Sequence, residues 1–384
     1  MKSWPLYLLL VLLLALSCRD RPREPLPPGS ATAEDLTLKY ATGFSARRDA
    51  QGVVYLTVTG PWPEASRPYR YALVPRELQA SISLPADTFD AMVAVPAERV
   101  VLTSTTHIPA LEALGDAEKL TGFPGLDYIS SPLTRKRIEA GAVAELGANE
   151  QLNTEKVLEL QPDLVVGFGV SEAPRSYRPL QAAGIPVVYN GDWMEQSPLG
   201  KAEWIKFFGY LLGREAEAQA LFEEIETGYL KARQMASGAP ESPAVLSGAL
   251  YRDIWYLPGG NSWAATFLRD AHADYPWADT SERGSLSLSL EAVLERGSEA
   301  EFWVAPSQYT SYSEMLAANP HYEQFRAFRE RRIFTYALSK GPTGGMLYFE
   351  KGPGRPDWVL QDLIYYLHPG LLPDYQPVFF KPLE

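Results

Sequence analysis

The sequence predicts an α/β protein of two Rossmann-like lobes with parallel sheets, joined by a long helical connector and preceded by an N-terminal β-hairpin extension. The first observation behind this is a pattern present once in each half. One copy is Asn153-Thr154-Glu155-Lys156-Val157-Leu158, followed by Gln161-Pro162-Asp163 and the apolar run Leu164-Val165-Val166. The other is Ser289-Leu290-Glu291-Ala292-Val293-Leu294, followed by Glu299-Ala300-Glu301 and Phe302-Trp303-Val304. Each reads as a capped helix feeding a buried strand, with Asn153 and Ser289 as N-caps. The second observation is a β-α rhythm around each copy, which implies parallel sheets with helices on both faces. The third is the stretch between the halves. From Pro198 to Ser237 it has no internal proline and carries Trp204, Phe207, Phe208, Leu211, Leu212, Leu221 and Ile225 at helical spacing.

Taken in order, residues 36–58 alternate and break at Asp49-Ala50-Gln51-Gly52, the mark of a hairpin. Residues 61–75 are rich in Pro and Tyr and extend that element along the first lobe. Residues 100–102 read as a strand and 108–114 as a short helix ending at Gly115. Val143 marks a short strand, and 164–166 and 184–189 are further strands. Gly209 and Gly213 divide the connector into one or two helices, which Gly238-Ala239-Pro240 stops. The second β-α series places strands at 244–246, 268–271, 302–305 and 332–334, then a helix at 356–367 before Pro369. The resulting organisation is a leader at 1–17, a tether at 18–35, the β extension at 36–96, the first lobe at 97–197, the inter-lobe helix at 198–238 and the second lobe at 239–384.

The N-terminus predicts the compartment. Lys2 precedes an apolar stretch at 6–16, too short to span a bilayer and typical of a secretory leader. Ala15-Leu16-Ser17-Cys18 ends it, and the arrangement resembles a bacterial lipoprotein signal with Cys18 as the lipidated residue. Cys18 is the single cysteine, so no internal disulfide supports the fold. The Pro-rich residues after it read as a flexible tether. A net charge of −12 without a dense basic run argues against nucleic-acid binding. The 9 Trp and 21 Tyr suit a protein with an aromatic ligand groove as well as a core.

The layout resembles the substrate-binding proteins of bacterial ABC importers, in the class whose lobes are joined by a rigid long helix. The residues 152–166, Leu152-Asn153-Thr154-Glu155 through Leu164-Val165-Val166, look like its most recognisable signature, and Trp255-Tyr256-Leu257-Pro258-Gly259-Gly260-Asn261-Ser262 looks like its second-lobe ligand loop. The resemblance spans roughly residues 97–367 and implies capture of a ferric siderophore, haem or cobalamin by an extracytoplasmic, membrane-anchored monomer. It also implies that Glu155 and Glu291 dock on arginines of the permease and, through it, serve its ATPase. From the residues alone, these glutamates equally complement helix dipoles.

A ligand in the cleft would meet residues that follow strands, at the facing carboxyl ends of two sheets. In the first lobe these are Ser104, Thr105 and His107, then Phe168 and Gly169, then Asp192 and Trp193. In the second they are Trp255, Tyr256, Ser262, Trp263 and Tyr309, with Tyr251 and Arg252 close by. Trp and Tyr offer broad contact area at low entropic cost, and Arg252 can pair with a ligand carboxylate. The loop Gly341-Pro342-Thr343-Gly344-Gly345 reads as an edge of this cleft. The histidines His107, His272, His321 and His368 are scattered, which predicts no metal site and no resident cofactor. Gly167-Phe168-Gly169 lacks the third glycine of a dinucleotide fingerprint, and there is no G-x-S-x-G and no P-loop. A hydrolase using Ser104 or Ser262 with His107 and Asp192 is the enzymatic alternative, with nothing local to orient it, so no enzyme is expected. A lipoprotein sensor or adaptor that kept the fold but lost transport is the other alternative.

Overall fold

The computed structural model describes residues 33–85 and 88–384. The leader, Cys18 and the tether up to residue 32 lie outside them. The N-terminal extension is larger than a hairpin. Strands β1 (Glu34–Leu36), β2 (Phe44–Arg48), β3 (Val54–Val58), β4 (Tyr69–Pro75) and β5 (Ala91–Val95) form one sheet in chain order, antiparallel except for the last pair. β2 and β3 are the hairpin. Asp49 accepts the amides of Gln51 and Val53 in its turn, and Gly52 takes φ +87°, a conformation that strains other residues. Alternation along β4 sends Tyr71 and Leu73 into the core shared with the first lobe. Ala72 and Val74 face the other way, into a small separate core with Tyr55 and Phe89.

The first lobe contains β6 (Val100–Leu102), β7 (Leu120–Phe123), β8 (Ala144–Glu145), the small hairpin β9 (Gly147–Ala148) and β10 (Gln151–Leu152), then β11 (Leu164–Gly167) and β12 (Val187–Tyr189). Helix α1 (Ile108–Ala113) follows β6 and α2 (Thr154–Leu160) follows β10. The main sheet is parallel throughout, in the order β12-β11-β6-β7-β8. The connector, expected as one or two helices, is three: α3 (Pro198–Glu203), α4 (Ile205–Leu212) and α5 (Glu215–Ser237). Gly213 ends α4 at φ +65°, and a Cβ on Gly209 would stand 2.7 Å from that of Ala218, so α4 and α5 touch backbone to side chain there.

The second lobe has β13 (Val245–Ser247), β14 (Ala249–Tyr251), β15 (Ile254–Pro258), α6 (Trp263–Asp270), β16 (Ser285–Leu288), α7 (Leu290–Gly297), β17 (Phe302–Val304), β18 (Ile333–Thr335), α8 (Leu347–Lys351), α9 (Pro356–Leu367) and β19 (Lys381–Pro382). β13, β17 and β18 are parallel, with β19 as an antiparallel edge, and β14-β15-β16 form a separate antiparallel sheet. Two sequence expectations are corrected here. Residues 268–270, expected to begin a strand, end the helix α6, which Ser262 caps by accepting the Ala265 amide at 3.1 Å. A short apolar run fits either state, and the cap decides it. Trp255-Tyr256, expected in a loop, lie in β15, whose alternation buries Trp255 and Leu257 and exposes Ile254 and Tyr256.

Two buried carboxylates weld the extension to the connector. Glu203, at the end of α3, accepts the amides of Lys39, Tyr40 and Ala41 at 2.9, 2.7 and 2.8 Å and the Lys206 ammonium at 2.8 Å. Burial alone would raise its pKa. The ammonium and the amides outweigh burial and hold the carboxyl below its ordinary range. Glu195 accepts the amides of Thr42 and Gly43, both at 2.8 Å, and the Trp204 indole N–H at 3.0 Å. Gly43 is required by this contact, since a Cβ would come within 2.9 Å of the Trp204 ring. Removing Glu203 strands a buried ammonium and three amides, a loss of about 3–5 kcal/mol for a broken buried pair. Glu203→Ala should therefore lower the urea midpoint markedly and open residues 37–43 to proteolysis; an unchanged midpoint would show that the clamp carries no stability.

Candidate functional site

The candidate site is a cavity of about 810 Å³ between the lobes. Its first wall is the carboxyl edge of the first-lobe sheet. Thr103, Ser104 and Thr105 follow β6, Phe123 and Pro124 end β7, and Phe168 follows β11. Parallel strands end together on one edge, so these residues converge although they are distant in sequence. The β9–β10 hairpin, residues 147–150, and Tyr128 form the rim. A polar network fixes this wall. The Thr103 hydroxyl lies 3.1 Å from the Tyr177 hydroxyl and accepts the Phe168 amide at 3.2 Å. The Tyr177 hydroxyl donates to the Asn149 side-chain oxygen at 2.6 Å, and Asn149 Nδ2 donates to the Phe168 carbonyl at 3.3 Å. The hairpin, the floor and the strand ends therefore hold one another in place.

The second lobe faces this wall with Gln308, which follows β17, and with residues 344–346 leading into α8, whose Phe349 and Glu350 also line the cavity. The lobes touch directly beneath. The Ser130 amide donates to Glu350 Oε2 at 2.6 Å. The Gly341–Gly345 loop, closed by the Gly341 amide on the Gly345 carbonyl at 2.8 Å, lies on Ser130. A Cβ on either glycine would come within 2.5 Å of the Ser130 side chain. Burial pushes the Glu350 carboxyl up, against the Ser130 amide bond that lowers it.

Of the sequence candidates, Thr105 and Phe168 line this cavity, together with Ser104. Four are placed elsewhere, and three of these are too buried to meet a ligand. Trp255 is fully buried, stacked 5.2 Å from Trp303 and held by its indole N–H on the Ser247 carbonyl at 3.0 Å. Ser262 is buried as the cap of α6. His107 is fully buried against Phe208, ring centroids 5.5 Å apart. Trp263 packs in the joint between connector and second lobe, stacked on Tyr348 with the Lys201 ammonium 5.3 Å above its ring. For the two tryptophans the reason is size: a large aromatic ring serves a core as well as a ligand platform.

The remaining candidates are surface or half-buried groups. Tyr251 and Tyr256 are exposed on the β14–β15 hairpin, and Arg252 sits at its tip with φ +56° and its guanidinium 5.4 Å from the Tyr251 ring. Trp193 is 37% exposed, and its carbonyl accepts the Lys201 ammonium at 2.8 Å. Tyr309 packs edge-on to Tyr322. Asp192 lines a second cavity of about 310 Å³ behind the first, with Lys201, Trp204 and Trp358. The hydroxyls considered as nucleophiles are otherwise engaged, Ser104 with Thr106 at 2.9 Å and Ser262 with the Ala265 amide. Sequence reasoning missed Tyr128, Gln308, Met346, Phe349 and Glu350; the glycines of 341–345, which demand close backbone approach, were the available signal. Among the described residues no three His, Cys, Asp or Glu side chains are placed to hold a metal ion, and no helix is long and apolar enough to cross a membrane.

The sequence repeat is also a structural repeat. Glu155 and Glu291 are the second residues of α2 and α7, and both are exposed. Asn153 caps α2 by accepting the Lys156 amide at 3.0 Å, and Ser289 caps α7 by accepting the Ala292 amide at 3.3 Å. Each helix follows a short antiparallel element, the β9–β10 hairpin or the β15–β16 pair, and feeds an inner strand of its sheet, β11 or β17. The backbone amide of Glu291 and the Ser289 hydroxyl hold its carboxyl below the usual range.

Fold and cleft together define a two-lobed α/β protein of the binding type. Residues 100–337, more than half of the chain, match the periplasmic binding protein family, and the chain belongs to it. An uncharacterised lipoprotein of Methanocaldococcus jannaschii is 27% identical over 295 residues, 74% of this chain and 69% of that protein. Among solved structures, a periplasmic haem-binding protein from Pseudomonas aeruginosa superposes with a TM-score of 0.57 at 22% identity, over 75% of this chain and 98% of that one. An ABC-type Fe3+-hydroxamate transport system structure from Saccharomonospora viridis gives a TM-score of 0.51 at 20% identity, over 73% of this chain and 95% of that one. At these identities the likeness establishes the shared fold.

His107 provides a test of the buried assignment. Burial lowers its pKa to about 4, with the Asp192 charge and the Asn190 side chain pulling it back only in part. A depressed pKa means that the neutral ring stabilises the fold fully above the unfolded value of 6.5, and that this is lost as pH falls toward 4. The shift corresponds to roughly 3 kcal/mol at most. Urea unfolding of wild type should weaken between pH 7 and 4 by more than that of His107→Leu, and equal slopes would remove His107 as the titrating group.

Proposed function

We propose that this chain is a lipid-anchored, extracytoplasmic substrate-binding protein of an ABC importer. It takes a chelated-iron compound, a ferric siderophore or haem, into the inter-lobe cleft and delivers it to the permease and its ATPase; cobalamin is the alternative ligand. The observation that carries the reading is the cavity of about 810 Å³ at the facing edges of the two lobes, in a chain that belongs to the periplasmic binding protein family. The structurally similar proteins named for haem and for a ferric hydroxamate support the ligand class. Cys18 supplies the anchor in this reading, and the tether keeps the protein near the permease. Exposed glutamates at matching helix starts, Glu155 and Glu291, suit docking on permease arginines, where opposite charges set encounter and register.

Two experiments test this. Titrating ferric siderophores, haem and cobalamin by calorimetry should give micromolar or tighter binding for one class. Phe349→Ala, in the cleft, should weaken that binding about tenfold or more with stability little changed, whereas Trp255→Ala should cost about 3–5 kcal/mol of stability through the core. No binding by any class would reject the reading of the cleft. In a reconstituted importer, Glu155→Arg with Glu291→Arg should bind ligand normally and fail to deliver it; normal delivery by this variant would reject the docking role of the two glutamates, whereas no delivery by the wild-type protein would favour the sensor or adaptor reading.

A further inference from the structure

The charged side chains that line the cleft are of one sign. Glu150 stands exposed on the rim hairpin, and Glu350 is buried at the base. Among the described residues that line the cavity there is no Lys, Arg or His. The Arg135 guanidinium donates to the Leu126 carbonyl at 2.7 Å and the Lys156 ammonium to the Glu145 carbonyl at 3.1 Å. Lys351, whose charge acts on Glu350, lines the second cavity, and the exposed Lys340 precedes the glycine loop without lining the cleft. The other polar groups of the cleft are neutral hydroxyls and amides, Ser104, Thr105, Tyr128, Asn149 and Gln308. Arg252, the sequence candidate for pairing a ligand carboxylate, is at the tip of the β14–β15 hairpin and is not among the lining residues.

An anionic ligand entering such a site loses hydration at each negative group and gains no cation in return. It also approaches two carboxylates on a chain of net charge −12. A neutral or cationic ligand with amide-like edges loses nothing of that kind, and its polar edges match the hydroxyls and amides. We infer that the cleft selects a metal chelate or corrinoid carrying no net negative charge, with Glu150 as a specificity determinant. The inference rests on the reading of the cleft as the ligand site. It separates ligands that share a metal. Three hydroxamates each bring one negative charge and leave a ferric complex neutral, or cationic where the chain carries a free ammonium. Three catecholates leave the ferric complex trianionic, and haem brings two carboxylates.

The test compares ligands that share a chelate or macrocycle and differ in the charge of a peripheral group. One set is a linear ferric trihydroxamate with its terminal ammonium, the same chelate N-acetylated, and the same chelate N-succinylated. The others are a neutral corrinoid against its monocarboxylic acid, and haem against its dimethyl ester. In whichever set binds, the cationic or neutral member should bind at least about tenfold tighter than the anionic one, with the gap narrowing as salt screens it. Glu150→Gln should shrink the gap, and Glu150→Lys, a change on an exposed rim, should close or reverse it. Equal or tighter binding of the anionic members, or a gap that Glu150→Lys leaves untouched, overturns the inference while the cleft stands as the ligand site. Failure of every set to bind removes that reading, and this inference with it.

Discussion

Glu195 and Glu203 hold three parts of the molecule in one arrangement. Both sit at the entry to the connector, and between them they take the amides of residues 39–43, the Trp204 indole and the Lys206 ammonium. A buried carboxylate is costly unless its lone pairs are filled, and here they are filled from the extension on one side and the connector on the other. The extension is thus a brace on the element that joins the lobes. The strand ends that make the cleft wall depend on this, because β12 leads through Asn190 and Asp192 directly into the braced segment.

The lobes meet a second time beneath the cleft, and here the contact is steric. Gly341 and Gly345 lie against Ser130 so closely that any side chain at either position would wedge the lobes apart. Connector and glycine loop therefore set the width of the cavity from two directions. The polar network from Thr103 through Tyr177 to Asn149 then shapes its first wall. What this frame leaves uncommitted are the exposed rim side chains Glu150 and Tyr128, and discrimination among ligands is best placed there.

Much of this was legible in the sequence because its signals are local. N-caps at Asn153 and Ser289, the hairpin turn at Asp49 and the ends of the helix at 356–367 each depend on a few neighbouring residues, and each is found in place. Interactions made at long range were not legible. Nothing in a helical stretch announces that Glu203 will meet amides more than a hundred residues earlier. The sheet around β15 was missed although its partner β16, Ser285–Leu288, alternates Ser and Leu, because a four-residue run names no partner and the pairing with β15 is made at long range. For the site, strand ends led to Thr105 and Phe168, which line the cavity. Of the second-lobe aromatics read as ligand contacts, Trp255 lies in the core, which no local pattern shows because burial is a tertiary property. Phe349 and Glu350 were under-read because their helix reaches the cleft only through the glycine loop before it.

The stacked indoles of Trp255 and Trp303 give the second lobe an optical signature. Their rings lie 5.2 Å apart at 25° and are screened from water by Tyr322 and Phe325. Transition moments this close couple, with a strength and sign set by their relative directions, so the pair is the one place in the second lobe's core where an exciton couplet in the far-ultraviolet circular dichroism is to be sought. The first lobe and connector, with Trp204 among phenylalanines, add no indole pair of this kind among the stacked rings of the described residues. Such a couplet would be an intrinsic spectroscopic handle on one lobe, able to register its melting apart from that of the rest of the chain without any label.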